Sequence, residues 1–255
     1  MTGILLCGCC GKMGKAVTAA AAEDPTIEIA AGVDLAPQND LPYPVVSAPA
    51  LLTPAQIEKI DVIVDFSNPS ALGGLLEFAI AHGLPAVICT TGLNDAQKAL
   101  LQQAANKIPV FFSANMSLGV NLVGLLAEKA AKVLGGSFDI EIVEMHHNQK
   151  VDAPSGTALM LADRINAALD TPCVYAYDRH ERREKRPKNE IGIHAVRGGT
   201  ITGEHEIIFA GNDEIIRISH SARSKALFAT GAVNAAKFLV GRAPGSYSMA
   251  DLLAD

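Results

Sequence analysis

Along the first half of the chain, short β-branched and aliphatic runs alternate with longer stretches rich in alanine and leucine. The short runs at 4–7, 27–33, 62–66, 86–89 and 110–112 are predicted strands of the fully buried kind. The longer stretches at 12–22, 69–82 and 95–106 are predicted helices. A shorter helix is predicted at 53–60, with Thr53 as N-cap and Pro54 at its first position. Such alternation predicts a parallel sheet covered by helices on both faces. After Asn115 the pattern changes. Residues 120–134 form one long apolar stretch, a predicted helix. Residues 139–145 set Ile140, Ile142 and Val143 among acids, as in a half-buried strand. A helix is predicted at 155–168. Strands follow at 191–197, 204–210 and 214–219, joined by glycine turns at Gly198 and Gly199, Gly203 and Gly211. That is an α+β pattern with antiparallel pairing. The alanine-rich style returns at 226–240. The expected fold is therefore α/β. A Rossmann-type doubly wound parallel sheet, residues 1–116 completed by 226–255, carries an inserted α+β domain with a mixed or antiparallel sheet, residues 117–225.

The composition narrows the function. The chain has 255 residues, 49% of them apolar, with net charge −6 and a pI near 5.6. An acidic balance argues against nucleic-acid binding. No apolar stretch approaches the roughly 20 residues of a membrane span, and the N-terminus lacks the basic start of a signal peptide. The five cysteines are odd in number and lack a CxxC pair. Reduced thiols in the cytoplasm, and no metal site, are expected. The one charge-dense run, "DRHERREKRPKNE" at 178–190, has mixed sign and suits a solvated loop, with a subunit contact or active-site flap as alternatives.

Two stretches carry chemistry. "LLCGCCGKMGKAV" places Gly8, Gly11 and Gly14 between a predicted strand and a predicted helix. That arrangement suits a tight turn, close approach of a pyrophosphate, and close helix–sheet packing, with phosphate on the helix N–H groups. Lys12 and Met13 lie in the same turn. Asp34, at the end of the second strand, is placed to accept the adenosine ribose hydroxyls. The carboxylate favours NADH, Lys12 offsets its repulsion of a 2′-phosphate, and NADH and NADPH are both expected to serve. Phe66 and Ser67, then Thr90, Thr91 and Gly92, then Ser113, Asn115 and Met116 follow successive strands, at the edge where open α/β sheets bind ligands.

The second stretch is "VEMHHNQKVDAPSGTAL", at 143–159. His146 and His147 end a predicted strand and point different ways, which disfavours a shared metal. Lys150 follows, and Ser155, Gly156 and Thr157 open a helix whose N–H groups and dipole suit an anion. The unit reads as a site for a small polyanion with a proton donor beside it. Together with a nicotinamide domain it implies hydride transfer.

These segments resemble the 4-hydroxy-tetrahydrodipicolinate reductases, also called dihydrodipicolinate reductases. "EIVEMHHNQKVDAPSGTA" matches the family's E-x-HH-x-x-K-x-DAPSGTA signature, and "GCCGKMG", "TTG", "SANMSLGVN", "VRGGTITGEH" and "ISHSARSKALFATGA" are similar to further family segments. The resemblance implies reduction of a cyclic dicarboxylate in the diaminopimelate route to lysine. It makes His146 the proton donor, Lys150 the second catalytic group, His147 a substrate contact, and Gly156 with Thr157 the holders of a carboxylate. It also implies a homotetramer built through the second domain's sheet. Cys89 stands where a glycine often precedes Thr-Thr-Gly, and Leu35 where some members carry arginine. Other two-domain nicotinamide reductases, a non-catalytic NADH-binding regulator and a metal hydrolase are the competing readings.

Overall fold

The structure is a computed structural model that describes residues 1–38 and 40–254. It divides into two compact units, 1–118 with 225–255, and 119–224.

The strands of the first unit are β1 (Thr2–Cys7), β2 (Ile27–Val33), β3 (Val45–Val46), β4 (Val62–Asp65), β5 (Ala86–Ile88) and β6 (Pro109–Phe112). Its helices are α1 (Lys12–Ala22), α2 (Pro54–Ile57), α3 (Leu72–His82) and α4 (Asp95–Ala105). Helix α2 is shorter than its sequence pattern suggested, and a 3₁₀ turn at Pro69–Ala71 precedes α3. In the second unit come α5 (Leu118–Leu134, beginning at the join), β7 (Asp139–His146), α6 (Gly156–Ala168), β8 (Val174–Ala176), β9 (Glu190–Arg197), β10 (Gly203–Ala210) and β11 (Ile215–Ala222). The chain then returns to the first unit with α7 (Ala226–Leu239), β12 (Gly245–Tyr247) and α8 (Met249–Ala254).

The first sheet has seven strands in the order β12-β6-β5-β4-β1-β2-β3, every pairing parallel. Alternation along β1 shows why both faces are covered. Ile4 and Leu6 join a core with Val17 of α1 and Ala232, Ala236 and Leu239 of α7. Leu5 and Cys7 point the other way, into a core with Leu75 and Ala79 of α3 and Leu101 of α4. Because the strands run together, their carboxyl ends share one edge. The chain winds from β1 out through β2 to β3, then crosses to β4 on the other side of β1, which creates the crevice where such sheets bind ligands.

The second sheet, β11-β10-β7-β9-β8, is mixed. Antiparallel pairing holds for β7 with β10 and β10 with β11, but β9 runs parallel to both β7 and β8. The glycine turns imply antiparallel neighbours only where a hairpin joins them, at β10–β11. Between β7 and β9 lies a crossover through α6, which returns the chain parallel. One face carries Ile140, Ile142, Ile193, Ile207 and Phe209 against Val123 and Ala127 of α5 and Leu161 and Ile165 of α6.

The segment 178–189 is a largely exposed loop, as expected, but it is fastened to the other face of the sheet. Three of its arginines fold back onto that face. Arg179 reaches Glu141 at 2.7 Å and Glu190 at 2.6 Å. Arg182 pairs with Glu190 at 2.7 Å, and Arg186 with Glu141 at 2.9 Å and Asp139 at 3.1 Å. Gly192 makes room for this: a Cβ there would lie 2.6 Å from an Arg179 guanidinium nitrogen.

Candidate active site

Backbone geometry builds the glycine turn. Gly8 has φ +76°, and a Cβ on it would lie 2.6 Å from the Phe66 carbonyl oxygen. Only glycine meets both demands. A Cβ on Gly14 would run into the backbone of Gly8 and Cys9, so helix α1 lies close over the turn. Gly11 differs. Its missing Cβ would approach only the Gly8 carbonyl, at 3.3 Å, and the residue is exposed. It is the N-cap of α1 and no side chain caps that helix. The first N–H groups of α1, beside exposed Lys12 and half-buried Met13, therefore present positive dipole ends to a ligand. These features fit a dinucleotide pyrophosphate.

Asp34 closes β2 next to this turn. One carboxylate oxygen accepts the Cys10 N–H at 2.9 Å and the other the Ala36 N–H at 3.2 Å, which fixes the group at the edge with lone pairs to spare. Cys9, Cys10 and Asp34 bring three potential metal ligands within 4.8 Å of one another. The Cys9 thiol is buried, however, and burial with the neighbouring thiol pushes it up to about 12. That carboxylate is also already holding backbone, so the trio is poorly prepared for a cation.

Asp65, unremarked in the sequence, organises the neighbouring strand ends. It is fully buried, and burial pushes its carboxyl up against the opposing pull of hydroxyl donors. The Ser67 N–H donates to it at 3.0 Å and the Thr90 hydroxyl at 2.6 Å. The Thr90 side chain is thus committed inward. Thr91 and Gly92, the latter at φ +77°, are the exposed members of that turn. Phe66 and Ser67 are half-buried at the end of β4. Ser113 is half-buried and donates to the Asn115 carbonyl at 2.9 Å, while Asn115 and Met116 are buried. A charged residue closing an otherwise apolar "VIVD" run was the available signal for Asp65.

In the second unit, His146 is the last residue of β7 and is only 9% exposed, whereas His147 is half-buried. The turns after β7 and β9 hold each other: the Gly198 N–H donates to the His146 carbonyl and the Asn148 N–H to that of Gly199. Glu144, fully buried, lies on the same strand face as His146 and accepts its Nδ1–H at 2.6 Å. Arg197 grips both oxygens of Glu144 at 2.8 and 2.7 Å, and the Ser155 N–H adds a bond at 2.9 Å. Burial alone would raise this carboxyl, but Arg197, His146 and the Ser155 N–H outweigh it and lower its pKa. Glu144 therefore stays ionised and can only accept.

Ser155 is the N-cap of α6, its hydroxyl accepting from the Ala158 N–H at 3.1 Å. It also lies 3.0 Å from His205 Nε2. Burial foremost, then His146, pushes His205 down to about 4, so it is neutral near pH 7. Gly156 is exposed and Thr157 half-buried at the helix start. Lys150 lies 2.8 Å from Asp152, whose carboxylate is lowered chiefly by Lys150. The ammonium thus already holds one carboxylate, in the turn that leads to α6. Glu144, Arg197 and His205 received no role in the sequence analysis, although Glu144 is the acid of the E-x-HH signature and the other two lie in "VRGGTITGEH". Period-two alternation could have linked Glu144 to His146; the others come from distant strands and leave no local signal.

Comparison with known proteins gives concordant matches. The family description for the N-terminus of dihydrodipicolinate reductase matches residues 2–116, and that for its C-terminus matches residues 119–253. The chain is similar to the 4-hydroxy-tetrahydrodipicolinate reductase of Caldanaerobacter subterraneus subsp. tengcongensis, at 51% identity covering 99% of this chain and 98% of the relative. That of Clostridium botulinum is 45% identical over 99% and 98%. Among solved structures, a dipicolinate-bound dihydrodipicolinate reductase from Paenisporosarcina sp. TG-14 superposes with TM-score 0.79 at 25% identity, covering 97% of each chain.

Proposed function

The chain belongs to the dihydrodipicolinate reductase family, and on that premise we propose how its residues divide the reaction. It is an NAD(P)H-dependent oxidoreductase that reduces 4-hydroxy-tetrahydrodipicolinate, by way of dihydrodipicolinate, to tetrahydrodipicolinate. Bound NAD(P)H supplies the hydride. Gly8, Gly11, Lys12, Met13 and Gly14 hold its pyrophosphate at the start of α1, and Asp34 holds the adenosine ribose. The ends of β4, β5 and β6, from Phe66 and Ser67 through Thr90, Thr91 and Gly92 to Ser113, Asn115 and Met116, form the nicotinamide side. Asp34 with Leu35 favours NADH, and Lys12 keeps NADPH usable.

In the second unit the start of α6, at Ser155, Gly156 and Thr157, takes one substrate carboxylate. Lys150 takes the other and stabilises developing charge. His147 contacts the ring. Loss of the 4-hydroxyl as water gives the conjugated imine; as hydride then reaches ring carbon 4, negative charge grows toward the ring nitrogen side and His146 delivers the proton. The observation that supports this division is the Lys150 ammonium holding the Asp152 carboxylate at 2.8 Å in the turn that leads to the start of α6. A substrate carboxylate exchanges with that internal one. We also assign a homotetramer formed through the second sheet, and a cytoplasmic location. Among the described residues no helix is long and apolar enough to cross a membrane.

The test is NADH consumption with freshly generated cyclic dicarboxylate, set against open-chain aldehydes. Turnover is expected with the ring alone. Turnover confined to the aldehydes would assign the site to a different reductase.

A further inference from the structure

We propose that Glu144 is a positioning residue for proton delivery: it holds His146 by Nδ1–H, so that Nε2 is the donating nitrogen, and Gly203 keeps that nitrogen clear. The proposal rests on His146 being the proton donor.

The Glu144 carboxylate is 0% exposed, and its surroundings fill it. Oε1 accepts the Ser155 N–H at 2.9 Å and an Arg197 N–H at 2.7 Å. Oε2 accepts the other Arg197 N–H at 2.8 Å and His146 Nδ1–H at 2.6 Å. A carboxylate has about four lone-pair sites, and four donors occupy them here. Arg197 is itself pinned, donating to the carbonyls of Asp152 at 2.6 Å and Val196 at 2.8 Å. Glu144 has no second position to turn to, so the imidazole it holds has one orientation.

With Nδ1–H engaged, Nε2 is the nitrogen that takes up a proton from solvent, giving the imidazolium, and passes it to substrate, which returns the ring to its neutral Nδ1–H form. The space at Nε2 is kept by the neighbouring strand. A Cβ on Gly203 would lie 3.0 Å from Nε2 and 3.4 Å from Cδ2 of His146. Gly203 is not among the glycines with positive φ, so its backbone would accept alanine. What excludes a side chain there is the imidazole. His205 packs edge-on to His146, with ring centroids 5.3 Å apart, and being neutral it adds no competing charge. Glu144 also binds the Ser155 N–H at the entry to α6. One carboxylate therefore spaces the proton donor and the carboxylate-binding helix start, the relation that fast proton delivery needs.

The first measurement uses the wild-type protein, with histidine nitrogens isotopically labelled for NMR and His146 assigned by its loss in His146→Gln. Neutral His146 is expected as the Nδ1–H tautomer; an Nε2–H tautomer overturns the proposal without any variant having to fold. The second uses Glu144→Gln, close in size. We expect kcat to fall at least about tenfold with the Nδ1–H signature lost and NADH affinity kept, and Glu144→Asp to recover part of the rate. A folded Glu144→Gln enzyme with wild-type kcat sinks the assignment. The third is Gly203→Ala, which leaves the carboxylate in place. Lower kcat with intact NADH binding is expected, and unchanged kcat removes the role of Gly203. Should His146→Gln itself keep its turnover, the failure lies in reading His146 as the donor. If that variant is inactive while Glu144→Gln is not, only the positioning role fails.

Discussion

Two glutamates three residues apart on β7, Glu141 and Glu144, face opposite sides of the same sheet and make nearly the same bonds. Each takes an arginine fork and an imidazole. Glu141 binds Arg179, Arg186 and His194, the histidine at 2.7 Å. Glu144 binds Arg197 and His146. Their surroundings separate them. Glu141 keeps 18% of its side chain exposed, and its cations come from a loop that it staples to the sheet. Glu144 is wholly buried, and it joins the imidazole it holds to the helix start at Ser155. The same pairing chemistry fastens a segment on one face and, in the proposed mechanism, aims a proton on the other. An ion pair read from a list of distances does not disclose which it does; what the held group can reach decides.

Substitution at His146 divides the two faces most sharply. His146→Gln is expected to lower turnover by roughly 10²-fold or more, as losing a general acid does, with the protein still folded and still binding NADH. Steady-state kinetics with the cyclic dicarboxylate measures it, and near-normal turnover would erase the distinction between the faces.

On the outer face the expected effect is on stability. Glu141→Gln strips charge from a site facing Arg179, Arg186 and His194, leaving half-buried guanidinium groups short of an acceptor. Such a loss costs about 1–3 kcal/mol. Urea unfolding should report it, together with faster tryptic cleavage within 178–190. Turnover should stay close to wild type. A large drop in kcat without loss of stability would instead make the loop an active-site flap.

The comparison also separates what the chain's pattern discloses from what it conceals. Strand–helix alternation up to Phe112 foretold the parallel sheet, because buried parallel strands must be apolar throughout and must be joined by helices. The glycine turn was readable because Gly8 and Gly14 answer to local backbone sterics. The edge strands β3, β8 and β12, of two or three residues, carry too little periodicity to register. The parallel course of β9 was hidden for a different reason: glycine turns speak for hairpins, and this connection is a crossover. Arg197, Gly203 and His205 join Glu144 and His146 only through sheet pairing, Arg197 opposite His146 and Gly203 just past the Glu204–Met145 pair. No feature near 143–159 announces them. The mixed charges of 178–190 announced a solvated loop, but not the acceptors on β7 and β9 that fasten it.

The last expected difference is the order in which the two faces weaken in acid. His205 is held near 4, below its ordinary 6.5, by burial and by His146. Between those values the unfolded chain takes up a proton that the folded chain refuses. Stability therefore falls as pH drops from 6.5 toward 4, by up to about 1.4 kcal/mol per pH unit for one group. Glu141 acts lower. Burial would raise it, but Arg179, Arg186 and His194 hold it at about 2, below its ordinary 4.5. Its contribution is complete above 4.5 and is lost as pH falls from there toward 2. The face bearing the proposed proton donor should thus begin to give way before the face that staples the loop. Urea unfolding across pH 6.5 to 2 should show two slopes. His205→Gln keeps a partner for Ser155 and cannot titrate, so it should flatten the upper slope and leave the lower one. His220, also lowered by burial, should preserve part of that upper slope. An upper slope unchanged in His205→Gln would mean that His205 is not the group taking up the proton on unfolding.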